Sequence, residues 1–308
     1  MKTSIMLGTI LCAAMSATAI AQQPAQPPAS PRPANMGMGS AGTIQKVVDN
    51  IYVIPGGGGN TTVFVSSKGV VLVDSKTPNQ GQAIMDQVRT VTDKPVIYLI
   101  NTHSHFDHTG SNAFFPESVT IVAHENLAEQ LKANPAFQTE EGKRGLVDQT
   151  YTGHLKLMSG DDEVDLYNFG PAHTSGDSLV VFPKAGVMAA GDVFAWKNQP
   201  IIDTRNGGSS LNYGEFVARA VKTIKNVHIV IPGHSPPTSW QDFVDFGEFN
   251  RLMLAHARAS LKAGKTAEEA AKSFVIPEKF AGYKIGPTFV QPSPAGNFVT
   301  MYEQLKAR

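Results

Sequence analysis

The chain has 308 residues with 26 Lys+Arg against 26 Asp+Glu, and this zero balance removes the basic excess that a nucleic-acid reader needs against phosphates. A hydrophobic share of 42% with 28 Gly and 20 Pro excludes a collagen-like or wholly disordered chain. The single cysteine, Cys12, excludes an intramolecular disulfide, and the length supplies a core that needs none.

Lys2, an apolar run over residues 5–15 and the Ala19-Ile20-Ala21 tripeptide before Gln22 read as a secretory signal over residues 1–21. Cleavage after Ala21 would place the mature protein in the periplasm or outside the cell. The run is too short to span a membrane, so no membrane span is expected. Thr9 stands where a lipoprotein signal wants Leu, so Cys12 is not taken as a lipid attachment point. In residues 22–42 proline recurs without apolar periodicity, which describes a disordered tether. One domain is expected over residues 43–308.

Residues 44–54 form an apolar stretch that reads as a strand ending at Pro55 and the Gly56-Gly57-Gly58-Gly59 turn. Residues 61–66 and 70–73 are β-rich runs split by Lys68-Gly69, a hairpin. In residues 79–92, Ile84, Val88 and Val91 share a helical face. Residues 96–100 and 119–123 are buried strands, and residues 125–133 a helix. The second half repeats the theme, with strands over 155–158, 164–169, 178–182, 187–190 and 228–231. Helical patterns cover 213–224 and 240–262, the latter with Phe243, Phe246, Phe249 and Met253 on one face. Thr266 to Glu269 fits a capping box before a short helix, and residues 297–306 close the chain as a last helix. Strands come first and helices intervene in each half, which suggests two facing β-sheets with helices outside.

The chemistry concentrates after the strand over residues 96–100. His103, His105, Asp107 and His108 place three imidazoles and a carboxylate within six residues. Such a cluster repels itself once protonated and has no packing rationale, while imidazole nitrogen and carboxylate oxygen are donors that zinc accepts. Alternation puts His103 and His105 on one side of an extended segment, and a following turn lets Asp107 and His108 face a neighbouring site. The spacing suits two metals. Three more donors follow apolar strands: His173 in Pro171-Ala172-His173-Thr174, Asp192 in Ala190-Gly191-Asp192 and His234 in Pro232-Gly233-His234.

The string His103-Ser104-His105-Phe106-Asp107-His108 resembles the H-x-H-x-D-H signature of the metallo-β-lactamase superfamily, with His173, Asp192 and His234 at its later ligand positions. The resemblance covers residues 44–235 and implies an αββα sandwich of two facing mixed sheets, with metals at one edge. It implies that His103, His105 and His173 hold one metal, that Asp107, His108 and His234 hold the other, and that Asp192 bridges them. The implied cofactors are two zinc ions, with iron or manganese as alternatives. The implied reaction is attack of a zinc-bridging hydroxide, oriented by the catalytic Asp107, on the carbonyl of an ester, thioester, lactone or amide in a small-molecule substrate. Asp74 resembles an acidic position that supports such sites and reads equally as a strand-end turn residue, so it stays outside the ligand set.

Asp192 departs from the Cys or Ser usual at the comparable position of β-lactamases and resembles the glyoxalase II-like and lactonase-like branch. Hydrolysis of β-lactams stays an alternative, as does an iron-dependent sulfur dioxygenase or a periplasmic redox accessory protein on the same scaffold. Arg258 and Lys262 lie one turn apart and fit a solvated helix face better than a thioester-binding site. Trp196, Lys197 and Arg205 read either as a substrate wall or as a surface loop, and Gly56 to Gly59 as a mobile hairpin or a plain turn.

Overall fold

The computed structural model describes residues 39–307, so the expected signal (1–21) and most of the tether (22–42) lie outside the described residues. Pairing begins at Ala41, which bridges Gly56, and Gly42 N–H donates to the Pro55 carbonyl at 2.7 Å.

One sheet holds seven strands in sequential order: β1 (Gln45–Val48), β2 (Ile51–Ile54), β3 (Thr61–Val65), β4 (Val70–Val73), β5 (Val96–Ile100), β6 (Thr120–His124) and β7 (Gln149–Tyr151). The β1 to β4 pairs are antiparallel, and β4, β5, β6 and β7 run parallel, with Leu72 opposite Leu99 and Leu99 opposite Ile121. The other sheet holds six: β8 (His154–Met158), β9 (Val164–Tyr167), β10 (Leu179–Phe182), β11 (Val187–Gly191), β12 (Ile229–Pro232) and β13 (Thr238–Ser239). It is antiparallel except for β11 and β12, where Met188 lies opposite Val230.

The period of two along each strand decides the layers. Val71 and Val73 meet Val180 and Phe182 between the sheets, and the Phe64 and Phe182 rings lie 5.1 Å apart there. The alternate residues of the same strands face outward. Val70 and Leu72 pack on Ile84 and Val88 of α1 (Gly81–Arg89). Leu179 and Val181 pack on α5 (Ser210–Thr223), α6 (Trp240–Lys262) and α8 (Asn297–Lys306) through Phe216, Phe243, Phe246 and Phe298. Shorter helices are α2 (Phe106–Thr109), α3 (Glu125–Ala133), α4 (Glu140–Lys143) and α7 (Ala267–Ser273). The helix–sheet–sheet–helix sandwich expected from the sequence is the fold observed.

The apolar run over residues 44–54 is two strands, not one: the chain reverses at Asn50, whose φ of +67° lies in the left-handed region that Asn tolerates. The Thr266 capping box is present, and Ser239 and Asp242 form a second one at the start of α6.

Candidate metal centre

The parallel strands and their neighbours deliver their C-terminal ends to one rim of the sandwich. Asp74 follows β4, the His103–His108 segment follows β5, His173 lies in the loop after β9, Asp192 follows β11 and His234 follows β12. All seven residues read from the sequence converge there. Two groups of donor atoms result, each within 4.8 Å: His103, His105, His173 and Asp192, and Asp107, His108 and His234.

Asp192 faces both groups. Its Oδ1 lies 3.5 Å from His108 Nε2 and 3.3 Å from His234 Nε2, and its Oδ2 lies 3.9 Å from the Nε2 atoms of His103 and His173. Asp107 Oδ2 stands 3.4 Å from His234 Nε2 at the more open side. Gly233 permits this closeness, because a Cβ there would lie 1.9 Å from Asp192 Oδ1.

The outward nitrogens of four imidazoles are already engaged. His173 Nδ1 donates to the Ile201 carbonyl at 2.8 Å, His105 Nε2 to Asp203 Oδ2 at 2.8 Å and His108 Nδ1 to Asp74 Oδ2 at 2.7 Å. Thr102 gives its hydroxyl proton to Asp74 Oδ2 at 2.7 Å, so its Oγ1 accepts from His103 Nδ1 at 3.0 Å. In the neutral rings the nitrogens that point inward therefore carry lone pairs. His105 Nδ1 and His173 Nε2 face each other at 3.2 Å, as do the Nε2 atoms of His108 and His234. His103 Nε2 and Asp192 Oδ1 are buried without a hydrogen-bond partner. Converging lone pairs and an orphaned carboxylate oxygen are costly in a dry site and fit divalent cations.

In the first donor group the charges agree with that arrangement, whereas the carboxylates around His108 favour its protonated form. Burial and the neighbouring His108 and His173 hold His103 well below its ordinary pKa, and burial with His105 brings His173 down to about 4. Burial works against charge on His108, but Asp192, Asp74 and Asp107 together raise its pKa well above the usual value. Burial works to raise Asp192, yet His234 and His108 hold its carboxyl well below the carboxylate range.

Asp74 is no plain turn residue. It takes φ +66°, accepts from Thr102 N at 2.7 Å, and through Thr102 and His108 it reaches a member of each donor group. No motif in the sequence marks Asp203. It lies 98 positions from His105 in an irregular loop and reads locally as the cap of a short turn, since its Oδ1 accepts from Arg205 N. Lys197 pairs with Asp242 at 2.6 Å, and Arg205, Arg258 and Lys262 are exposed. Trp196 does border the site, its ring 6.1 Å from that of His234, and Phe289 lies 6.2 Å from the His105 ring.

Two facing mixed sheets with this donor cluster at their rim define a metallo-hydrolase architecture. The family model of the Metallo-beta-lactamase superfamily matches residues 54–239, which hold all of these donors, and the chain belongs to that superfamily of hydrolases. It is 24% identical over 208 residues to the metallo-beta-lactamase type 2 of Elizabethkingia meningoseptica, covering 65% of this chain and 80% of that protein. It is 28% identical over 159 residues to the 2,4-dinitroanisole O-demethylase subunit alpha of Nocardioides sp., covering 49% and 45%. Among solved structures, the sec-alkylsulfatase Pisa1 from Pseudomonas sp. superposes with a TM-score of 0.71 over 85% of this chain and 50% of its own, at 14% identity. DIM-1 metallo-beta-lactamase superposes with a TM-score of 0.59 over 69% and 98%, at 18% identity. At such identities the structural likeness concerns the fold. The chain spans about half the length of the O-demethylase subunit and of the alkylsulfatase. Among the described residues no helix is long and apolar enough to cross a membrane.

Proposed function

We propose that this chain is a two-zinc hydrolase that cleaves a small-molecule ester, thioester, lactone or amide. The observation that carries the reading is Asp192, whose two oxygens each face one donor group while Oδ1 lacks a hydrogen-bond partner. His103, His105 and His173 would hold one cation, Asp107, His108 and His234 the other, and Asp192 both. Bound there, two divalent cations lower the pKa of a water and polarise the substrate oxygen. The side chains do the rest. Asp107 lies at the open edge, its side chain 21% exposed, where it orients the nucleophile and takes up its proton. Asp74, Thr102, Asp203 and the Ile201 carbonyl hold the imidazoles with their lone pairs inward.

A cavity of about 430 Å³ opens beside His234 and is walled by Val53, Pro55, Trp196, Pro236 and Pro237. Among the described residues no Lys or Arg lines it, which suits an apolar, uncharged arm on the substrate better than a carboxylate-bearing one. The test is metal analysis of the purified protein with a hydrolysis screen of the zinc-loaded form. The screen covers lactones, thioesters, phosphodiesters and β-lactams, with alkyl sulfates added because the alkylsulfatase likeness extends over 85% of the chain. Two zincs with lactone or thioester turnover supports the reading; one iron with oxygen uptake points instead to a dioxygenase. We also place the mature protein outside the cytoplasm, and N-terminal sequencing of secreted material should start at Gln22.

A further inference from the structure

Among the described residues, Lys76 is the one buried Lys or Arg, with no exposed surface. It follows Asp74-Ser75 with a φ of +65°, a backbone conformation that a lysine rarely adopts, and this turn aims its side chain under the glycine loop between β2 and β3. Each of its three N–H groups finds a carbonyl: Ile54 at 2.7 Å, Gly56 at 2.7 Å and Gly59 at 2.8 Å. A neutral amine has only two N–H groups, so only the ammonium completes this set. Burial pulls its pKa down to about 7, with Asp74 acting the other way.

The loop that Lys76 grips touches Asp107 and His108 of the second donor group and brackets His234. Gly59 N donates to the Asp107 carbonyl at 2.9 Å. A Cβ on Gly59 would stand 2.2 Å from His108 Cε1, so the loop backbone lies directly on that ring. Asn60 N donates to the Gly233 carbonyl at 2.7 Å, and Asn60 Nδ2 to the carbonyls of Pro232 and Ser235 at 2.8 Å each, on either side of His234. The His103–His105–His173 group receives no such contact from this loop; its fixed partners are Thr102, Asp203 and Ile201.

We propose that Lys76 is a positioning residue: its ammonium pegs the Gly56 to Gly59 loop and thereby sets the spacing of Asp107, His108 and His234 that the second cation requires. This rests on the two-cation reading above. The test is a zinc titration of the full-length protein against a chromophoric chelator, for wild type, Lys76→Met and Lys76→Arg. Lys76→Met leaves three carbonyls without their donor, and the tighter zinc should hold within about 3-fold while the weaker one loses about 10- to 100-fold in affinity, as when the outer support of a ligand is removed. Lys76→Arg keeps the charge, but a planar fork does not meet three converging carbonyls, so the same selective loss should appear at smaller size. The arginine variant decides the matter alone if Lys76→Met does not fold. Equal weakening of both zincs in a folded variant, or no weakening, overturns the proposal. A wild type that takes up only one zinc overturns the two-cation reading instead.

Discussion

The two donor groups at the rim are built by different means. His103 and His173 are fully enclosed, and the group's outward nitrogens end on a threonine, a carboxylate and a backbone carbonyl. Asp107 and His234 keep 21% and 13% of their side chains exposed, against 12% for His105, and a glycine loop contacts the backbone beside them. Each imidazole of the first group thus has a fixed partner on its outward nitrogen, whereas in the second group His108 has one in Asp74 and Asp107 and His234 lean on a segment more than forty residues earlier in the chain. Preorganisation lowers the cost of gathering ligands, so the first group should bind its cation more tightly. Asp192, with one oxygen toward each, ties the two together.

The largest expected effect is on that tie. Asp192→Asn keeps the volume but removes the charge shared by both groups, and hydrolysis should fall at least about 10²-fold, roughly 2.7 kcal/mol of transition-state stabilisation. Zinc content should fall, mainly at the second group. The melting temperature of the chelator-stripped protein should hardly change, and both are checked side by side by metal analysis and calorimetry. Retention of two tight zincs with full activity would remove the bridging role.

The next effect separates the groups. Asp74→Asn should weaken both cations, since Asp74 supports His108 directly and His103 through Thr102. Asp203→Asn should weaken only the first, by about 10- to 100-fold in zinc affinity. Chelator titration of the two variants reads this contrast, and equal effects of the two substitutions would erase it.

The smallest effect lies away from the rim. Asp242 caps α6 through Ser239 and pairs with Lys197, and although partial burial acts to raise its pKa, these partners bring it down to about 2. A depressed carboxylate stabilises the fold above its unfolded pKa near 3.8 and loses that contribution as pH falls through about 2. Asp242→Ala should therefore lower the melting temperature by a few degrees at pH 6 and make little difference near pH 2, as followed by circular dichroism.

These contrasts also mark what could be read from residues alone. His103, His105, Asp107 and His108 crowd so many donors into one short segment that metal chemistry is their economical explanation, and His173, Asp192 and His234 gain meaning only beside them. The core strands announced themselves by unbroken apolar runs. Asp203 carried no such signal, because its partner His105 is 98 positions away and its local pattern is that of a turn. Lys76 looks like a surface residue after a strand; only the fold reveals its left-handed backbone and its burial. β7 and β13 have three and two residues, too few for a period of two to be visible, and the reversal at Asn50 was hidden inside an apolar stretch.

The central claim is that the rim holds two cations in two separable groups. It is tested most directly by zinc per chain after equilibrium dialysis of wild type and His234→Ala. The account predicts two equivalents for wild type and one for the variant, with the His103–His105–His173 group still loaded and hydrolysis lost. One equivalent in the wild type, or two in both proteins, would contradict it.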